Sequence, residues 1–224
     1  MSQHLNRVVD VCYLYSSCPG VWLEVTPKHR PVNRSARFKI GINQTFPEKL
    51  FHGVFNHGSM ANSLPQAIGA QVAFPGRQVI TLSGDGGLAM LLGEILTLRQ
   101  LKLPVKIVVF NNSSLSFVEP EMKAAGLFSF GTDLLNPDFA RLAEAAGILR
   151  LRVEKPEELR PALAKALQHD GPALVEVIVN RQELSIPPTI TAEQALGFSL
   201  YMVKAVLNGR GDEVIDMLKT NLVH

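Results

Sequence analysis

The sequence predicts an α/β fold, a doubly wound parallel sheet with helices on both faces and a helical tail at the C-terminus. From about residue 51, short apolar runs alternate with helix-length amphipathic segments, which is typical of parallel strands joined by helical crossovers. Strands and helices in turn, with helix-length crossovers, predict a parallel sheet that is covered on both faces. Hydrophobic residues make up 46% of the 224 residues, enough for a sizeable core.

The two kinds of segment follow one another in regular order. Proline lies in an early turn of two helical segments, at Pro65 and Pro156, where its missing N–H group costs no hydrogen bond. The predicted helices span residues 62–72, 88–101, 136–146 and 156–168. The predicted strands, rich in β-branched residues, span residues 78–82, 105–110, 149–153 and 173–179.

The first fifty residues show neither the helical nor the strand period. Aromatic, basic, proline and cysteine residues alternate irregularly there, which predicts only short strands. We therefore divide the chain into an atypical leader (residues 1–50), an α/β domain (51–185) and a C-terminal helical tail (186–224).

Charge and composition exclude several classes of function. The net charge is only +2, and the basic residues form no long block, so nucleic acid is not an expected partner. Two cysteines, Cys12 and Cys18, are too few for a disulfide framework or a cysteine-rich metal site. No apolar run approaches the roughly 20 residues that span a bilayer. These features predict a cytoplasmic protein whose membrane contact, where it occurs, is peripheral.

Two polar clusters follow neighbouring strand segments. Asp85 lies just after the strand that ends at residue 82, and Asn112 follows the next strand about 27 residues later. Ligands of open parallel sheets bind beyond the carboxyl ends of the strands, so these side chains can meet if the strands are adjacent. Carboxylate and amide oxygens are suited to Mg²⁺, whose remaining positions are often filled by phosphate oxygens. The pair predicts a metal–diphosphate site.

The glycines around Asp85 favour the same interpretation. Gly84, Gly86 and Gly87 leave no Cβ to obstruct an anion, and a predicted helix begins near Leu88. The turn lacks the Gly-Lys-Ser/Thr of a P-loop and the GxGxxG of a dinucleotide site. Taken singly, the first cluster is better explained as a tight turn and the second as a helix cap. Together, at this spacing, they favour a binding site.

A Gly-Asp-Gly motif that closes with Asn-Asn resembles that of thiamine-diphosphate enzymes. The sequence around this motif resembles that of the bacterial quinone-dependent pyruvate oxidases, over residues 55–62, 84–87, 103–113, 197–202 and 209–215. The resemblance implies oxidative decarboxylation of pyruvate to acetate and CO₂, with electrons passing through FAD to a quinone. It implies thiamine diphosphate and Mg²⁺ as cofactors, whereas no FAD site is expected in this chain.

The resemblance also implies roles for individual residues. Asp85, Asn112 and the backbone carbonyl of Ser114 would hold Mg²⁺. Met60 would be the apolar prop beside the aminopyrimidine. A methionine taken alone is more often a core residue, but the flanking motif favours the cofactor role. No catalytic residue is assigned to this chain. The implied cofactor-binding residues are Gly58, Ser59, Met60, Asp85, Gly86, Gly87, Asn112, Ser113, Ser114, Leu115, Ser116, Phe117 and Val118.

The resemblance covers only the last third of that family, whose catalytic glutamate and FAD site belong to domains absent here. We therefore expect a chain that is weakly active or inactive alone and works as a homo-oligomer or with a partner subunit. Two alternatives are a fragment similar to a 2-oxo-acid decarboxylase or acetolactate synthase, and a non-catalytic fragment that assembles with a full-length relative.

The tail has helical spacing and interspersed basic residues, which fit a peripheral membrane segment and a packed or oligomer-interface helix equally well.

Overall fold

The computed structural model describes residues 8–12, 24–26, 37–39, 51–52, 60–181 and 191–222. Its main sheet has six parallel strands in the order β4-β1-β5-β6-β8-β7, and a separate antiparallel pair joins β2 to β3. The strands are β1 (Val8–Cys12), β2 (Glu24–Thr26), β3 (Arg37–Lys39), β4 (Phe51–His52), β5 (Gln78–Gly84), β6 (Lys106–Asn111), β7 (Leu149–Val153) and β8 (Ala173–Ile178).

Eight helices are described: α1 (Ser63–Ala73), α2 (Asp85–Met90), α3 (Glu94–Leu101), α4 (Val118–Ala124), α5 (Phe139–Ala145), α6 (Pro156–Gln168), α7 (Ala192–Leu207) and α8 (Gly211–Leu222). The predicted α/β class, parallel sheet and helical tail are confirmed. The prediction of one helix over residues 88–101 is wrong. The structure has two helices there, because Leu91 leaves the helical region and bonds back only to Leu88.

Helices cover both faces of the sheet. One face packs against α1, α3 and α5 through a core that includes Leu64, Ile107, Val109, Phe139 and Leu174. The opposite face packs against α6 through Val108, Leu159, Val175 and Val177. Five of the six residues of β8 are buried, which explains why its sequence is apolar apart from Glu176 and does not alternate.

The chain forms two compact units. The sheet unit comprises residues 1–28, 36–111 and 136–179, and the tail unit comprises residues 29–35, 112–135 and 180–224. In the tail unit, α4 packs against α7, and a Cβ on Gly197 would collide with the carbonyl oxygen of Ala124. Tyr201 of α7 is fully buried beside Phe128 and Phe198. None of the described helices is both long and apolar enough to cross a membrane.

A buried lysine lies at the amino end of β6. The Lys106 ammonium donates to the carbonyl oxygens of His169 and Gly171, each at 2.6 Å, and the side chain is almost wholly buried. Burial lowers the pKa of Lys106 to about 8, against a smaller opposing effect of Asp170. Between that value and the pKa of an unfolded lysine, the unfolded chain binds more protons, so stability rises with pH.

We expect Lys106 to raise the melting temperature as pH increases from 8 to 9.5. Over the pH range between the folded and unfolded pKa values, Lys106 changes the free energy of unfolding by on the order of 3 kcal/mol, from about 1.4 kcal/mol for each pKa unit. Thermal melts of wild type, Lys106→Met and the exposed control Lys165→Met test this expectation. The increase of melting temperature with pH should be smaller in Lys106→Met and unchanged in Lys165→Met. An equally steep increase in Lys106→Met would contradict the lowered pKa of Lys106.

Candidate active site

The carboxyl ends of β5 and β6 lie side by side. Gly84 pairs with Phe110 in the parallel register, so Asp85 comes directly after β5 at the level where β6 ends with Asn111. Asp85 opens α2, three residues earlier than the predicted helix start at Leu88. Its side chain is only 3% exposed. The sheet therefore holds a buried carboxylate at the edge where ligands of parallel sheets bind.

A hydrogen-bond network fixes this carboxylate. The backbone N–H of Gly86 donates to Asp85 Oδ1 at 2.9 Å. Asn136 Nδ2 donates to Asp85 Oδ2 at 2.7 Å and to Asn111 Oδ1 at 2.9 Å. One amide nitrogen thus ties the residue that follows β5 to the last residue of β6. The sequence analysis assigned Asn136 only to a helix start and missed this contact.

Glu176 on β8 supports the network from inside the sheet. Its side chain has no solvent exposure, and it accepts hydrogen bonds from Asn111 Nδ2 at 2.7 Å and Arg152 Nη1 at 2.9 Å. The backbone N–H of Ala140, in the first turn of α5, donates to it at 3.1 Å. Sequence analysis also missed Glu176, although a lone charged residue inside an apolar strand is a signal of buried, paired charge.

The glycines near Asp85 leave room beside the chain. A Cβ on Gly84 would meet nothing within 4 Å, and one on Gly87 would lie 3.5 Å from Ser83 Oγ, an ordinary contact. Packing among the described residues therefore does not explain glycine at these positions. Their role beside an anion stays a prediction.

In the tail unit, the segment after β6 forms a tight turn. Asn112 Oδ1 accepts the backbone N–H of Ser114 at 3.1 Å, and Ser113 adopts a left-handed conformation with φ of 56°. The Ser113 carbonyl accepts from the N–H of Leu134, and the N–H of Leu115 donates to Thr132. A second segment, residues 132–134, thus holds the turn along its length.

A buried ionic cluster anchors the same turn to the tail helices. Ser114 Oγ donates to Glu119 Oε2 at 2.7 Å, and Lys123 lies 2.8 Å from Glu119 and 3.4 Å from Glu213. Tyr201 donates to Glu213 at 2.6 Å. Glu119 and Lys123 are 4% and 2% exposed. These contacts connect α4, α7 and α8 to the segment predicted to line the cofactor.

The cluster favours ionised carboxylates. Burial raises the pKa of Glu119, but hydrogen bonds from Lys123 and Ser114, and the charges of Lys123 and Arg181, outweigh burial and lower it. Burial likewise opposes ionisation of Glu213, and its bond from Tyr201 with the charges of Lys123 and Arg210 lowers its pKa overall. Burial, together with the hydrogen bond to Glu213, raises the pKa of Tyr201.

The remaining predicted residues have varied positions. Met60 is half-buried, whereas Phe117 and Val118 are 44% and 43% exposed. Val118 begins α4, so the predicted cofactor loop ends in a helix. Gly58 and Ser59 lie outside the described residues.

The residues fit a hard cation with a diphosphate. Asp85 of the sheet unit offers a carboxylate oxygen, and the turn at Asn112 and Ser114 in the tail unit offers an amide and a backbone oxygen. Each is a type of donor that Mg²⁺ prefers. Within the described part of the chain, no three His, Cys, Asp or Glu side chains cluster so as to hold a metal by themselves. Such a donor set suits a metal that also takes phosphate oxygens, and the space beside Gly84 agrees with that chemistry.

Comparisons with known proteins bear on the cofactor. Residues 36–177 match the family described as thiamine pyrophosphate enzyme, C-terminal TPP binding domain. The thiamine pyrophosphate-containing protein YdaP of Bacillus subtilis is 36% identical over 183 residues, which are 82% of this chain and 31% of YdaP.

Acetolactate synthases are also similar. The mitochondrial enzyme of Schizosaccharomyces pombe is 40% identical over 131 residues, 58% of this chain and 20% of that protein. The isozyme 2 large subunit of Escherichia coli is 37% identical over 128 residues, 56% of this chain and 23% of the subunit. The chain spans less than a third of the length of these relatives. The chain belongs to the family of C-terminal TPP-binding domains of thiamine pyrophosphate enzymes.

Proposed function

We propose that this chain forms the Mg²⁺- and diphosphate-binding half of a thiamine-diphosphate enzyme that decarboxylates a 2-oxo acid. The observation that carries the proposal is the buried Asp85 carboxylate at the adjacent ends of β5 and β6, held by Asn136 and by its own helix start. A buried carboxylate at this edge of a parallel sheet, within a TPP-binding domain, is suited to a metal that carries the diphosphate.

In this proposal Asp85, Asn112 and the Ser114 carbonyl ligate Mg²⁺. Gly86, Gly87 and residues 113–118 line the diphosphate and thiazolium, and residues 58–60 face the aminopyrimidine. The bound cofactor supplies an electron sink for decarboxylation. The protein residues supply binding and orientation. The Asx turn at Asn112 and the bond from Ser114 to Glu119 support this role by fixing the backbone around the third ligand.

The whole enzyme is proposed to resemble an acetolactate synthase in its use of pyruvate-type substrates. The acetolactate synthases that match at 36 to 40% identity support this assignment. A pyruvate oxidase with FAD and a quinone acceptor is the second candidate. The helical tail, whose segments 197–202 and 209–215 resemble that family, favours it.

The chain is proposed to act within a larger assembly. It spans less than a third of its relatives' length. Promoting the reactive form of the cofactor needs a carboxylate, which the resemblance places in another domain of the whole enzyme. A second copy of a longer chain or a separate subunit would supply that group. Turnover of pyruvate is therefore expected in the assembly rather than in this chain alone.

Removing the Asp85 carboxylate is expected to weaken Mg²⁺-dependent binding of thiamine diphosphate by at least about 100-fold, since a direct metal ligand is lost. Calorimetric titration of thiamine diphosphate with and without Mg²⁺ measures the effect in wild type and Asp85→Ala. Asp216→Ala, an exposed aspartate of α8, is the control and should bind as wild type does. Binding by the wild type that does not depend on Mg²⁺ would sink the proposed site.

Peripheral membrane contact through α7 is part of the pyruvate-oxidase alternative. Exposed apolar residues recur along one side of this helix at Leu196, Leu200, Val203 and Leu207, with helical spacing. The double variant Val203→Glu/Leu207→Glu is expected to lower association with anionic phosphatidylglycerol vesicles by about tenfold or more. Co-sedimentation measures it. The control is Leu96→Glu/Leu101→Glu, two exposed leucines of α3. Equal association of both variants would count against this alternative.

A further inference from the structure

Asn136 bridges two strand ends of the sheet unit through a single nitrogen. Its Nδ2 donates to Asp85 Oδ2 at 2.7 Å and to Asn111 Oδ1 at 2.9 Å. The three residues are far apart in sequence, and Asn136 approaches from the segment before α5. We infer that Asn136 is a positioning residue, which holds the Asp85 carboxylate in the orientation that the metal–diphosphate group requires. The inference rests on the proposed function, because it assigns Asp85 as a metal ligand.

Both carboxylate oxygens of Asp85 have a fixed neighbour. The Gly86 N–H holds Oδ1 and the Asn136 amide holds Oδ2, so the plane of the carboxylate is set by two bonds from opposite sides. Hydrogen bonds of this kind orient a metal-ligating carboxylate. Without the Asn136 donor, Oδ2 would lose the bond that fixes the side-chain torsion.

The Asn136 amide is itself anchored through Asn111. Asn111 Nδ2 donates to Glu176 Oε1 at 2.7 Å, and Glu176 is fully buried and held by Arg152 and by the N–H of Ala140. The chain of contacts therefore runs from the rigid centre of β8 to the candidate ligand. Each step lies inside the sheet unit, so the orientation of Asp85 is tied to a strand in which five of six residues are buried.

The amide assignment follows from the partners. A carboxylate oxygen accepts only, and the Asn111 amide already donates its Nδ2 to Glu176, so its Oδ1 needs a donor. Asn136 must then present its nitrogen to both oxygens. A leucine has nearly the same volume but no donor, and a serine has one donor that cannot serve two acceptors at once.

The test compares Asn136→Leu and Asn136→Ser with a control, Asn208→Leu. Asn208 makes a 2.7 Å bond to the Lys204 carbonyl at the end of α7 and belongs to the tail unit. Calorimetry of thiamine diphosphate with Mg²⁺, and Mn²⁺ titration followed by electron paramagnetic resonance, measure binding. Thermal melts show whether each variant is folded.

We expect Asn136→Leu to weaken metal-dependent binding by about 10- to 100-fold, the range seen when partners of metal ligands are removed. The affinity of Asn136→Ser should lie between those of Asn136→Leu and wild type. If Asn136→Leu does not fold, the comparison of Asn136→Ser with wild type is the test. Asn208→Leu should bind as wild type. Wild-type-like binding by both Asn136 variants would overturn the inference alone. Failure of the wild type to bind would overturn the proposed function, and the inference with it.

Discussion

Replacing Lys123 with methionine is expected to lower the free energy of unfolding of the tail unit by about 3–5 kcal/mol, the usual cost of breaking a buried ion pair by removing one partner. Lys123 is 2% exposed and lies between the carboxylates of Glu119 and Glu213, at 2.8 Å and 3.4 Å. Its loss leaves a buried acid, Glu119, and a partly buried one, Glu213, without the ammonium that lay between them. Arg181 and Arg210 compensate in part, because each retains one carboxylate.

Chemical denaturation at pH 7 measures this effect, with Lys219→Met, an exposed lysine of α8, as the control. The control should change stability by less than about 0.5 kcal/mol. The pKa values of Glu119 and Glu213 are lowered in the folded protein, so the stability that they contribute disappears as pH falls through those values. The difference between wild type and Lys123→Met should therefore shrink below about pH 4, from the ordinary carboxyl range. A difference that stays constant down to pH 3 would contradict the assignment.

Glu176→Gln is expected to lower the free energy of unfolding of the sheet unit by about 2–4 kcal/mol. The carboxylate accepts from Asn111, from Arg152 and from the first turn of α5. Glutamine keeps the shape but offers one acceptor oxygen and turns an N–H₂ group towards a donor. Arg152 loses its buried counterion, although it remains partly exposed and can turn towards Glu154.

Denaturation of Glu176→Gln beside Glu157→Gln, an exposed glutamate in the first turn of α6, isolates the effect of burial. The exposed variant should lie within about 0.5 kcal/mol of wild type. A loss in Glu176→Gln no greater than in the control would show that the network around Asn111 adds nothing to stability.

Local pattern predicts much of the fold. Strand β7 and helix α6 have the predicted bounds, because alternating residues mark the first and a proline with acidic residues marks the start of the second. The break between α2 and α3 could not be predicted, since apolar residues continue through residues 91 and 92 and only Gly93 interrupts them. The sheet positions of β1 and β4 could not be predicted either, because they depend on long-range pairing and not on a local period.

The candidate site divides in the same way. The motif around Asp85 and Asn112 is visible because strand ends and turn residues are local features. Asn136 has no such local signal, because it reaches the site only through the return of the chain before α5. Glu176 stands out as a lone charge in an apolar strand, but its partner Asn111 depends on the parallel pairing of β6 with β8. The ionic cluster of Glu119, Lys123 and Glu213 depends likewise on the packing of α4 against the tail helices.

The central claim is that this chain holds a divalent cation together with the diphosphate of thiamine diphosphate. The most direct measurement is electron–nuclear double resonance on the wild-type protein with Mn²⁺ in place of Mg²⁺ and thiamine diphosphate added. We expect ³¹P coupling from diphosphate oxygens bound to the metal, on Mn²⁺ that remains with the protein after unbound metal and cofactor are removed. Protein-bound Mn²⁺ without ³¹P coupling would contradict the claim.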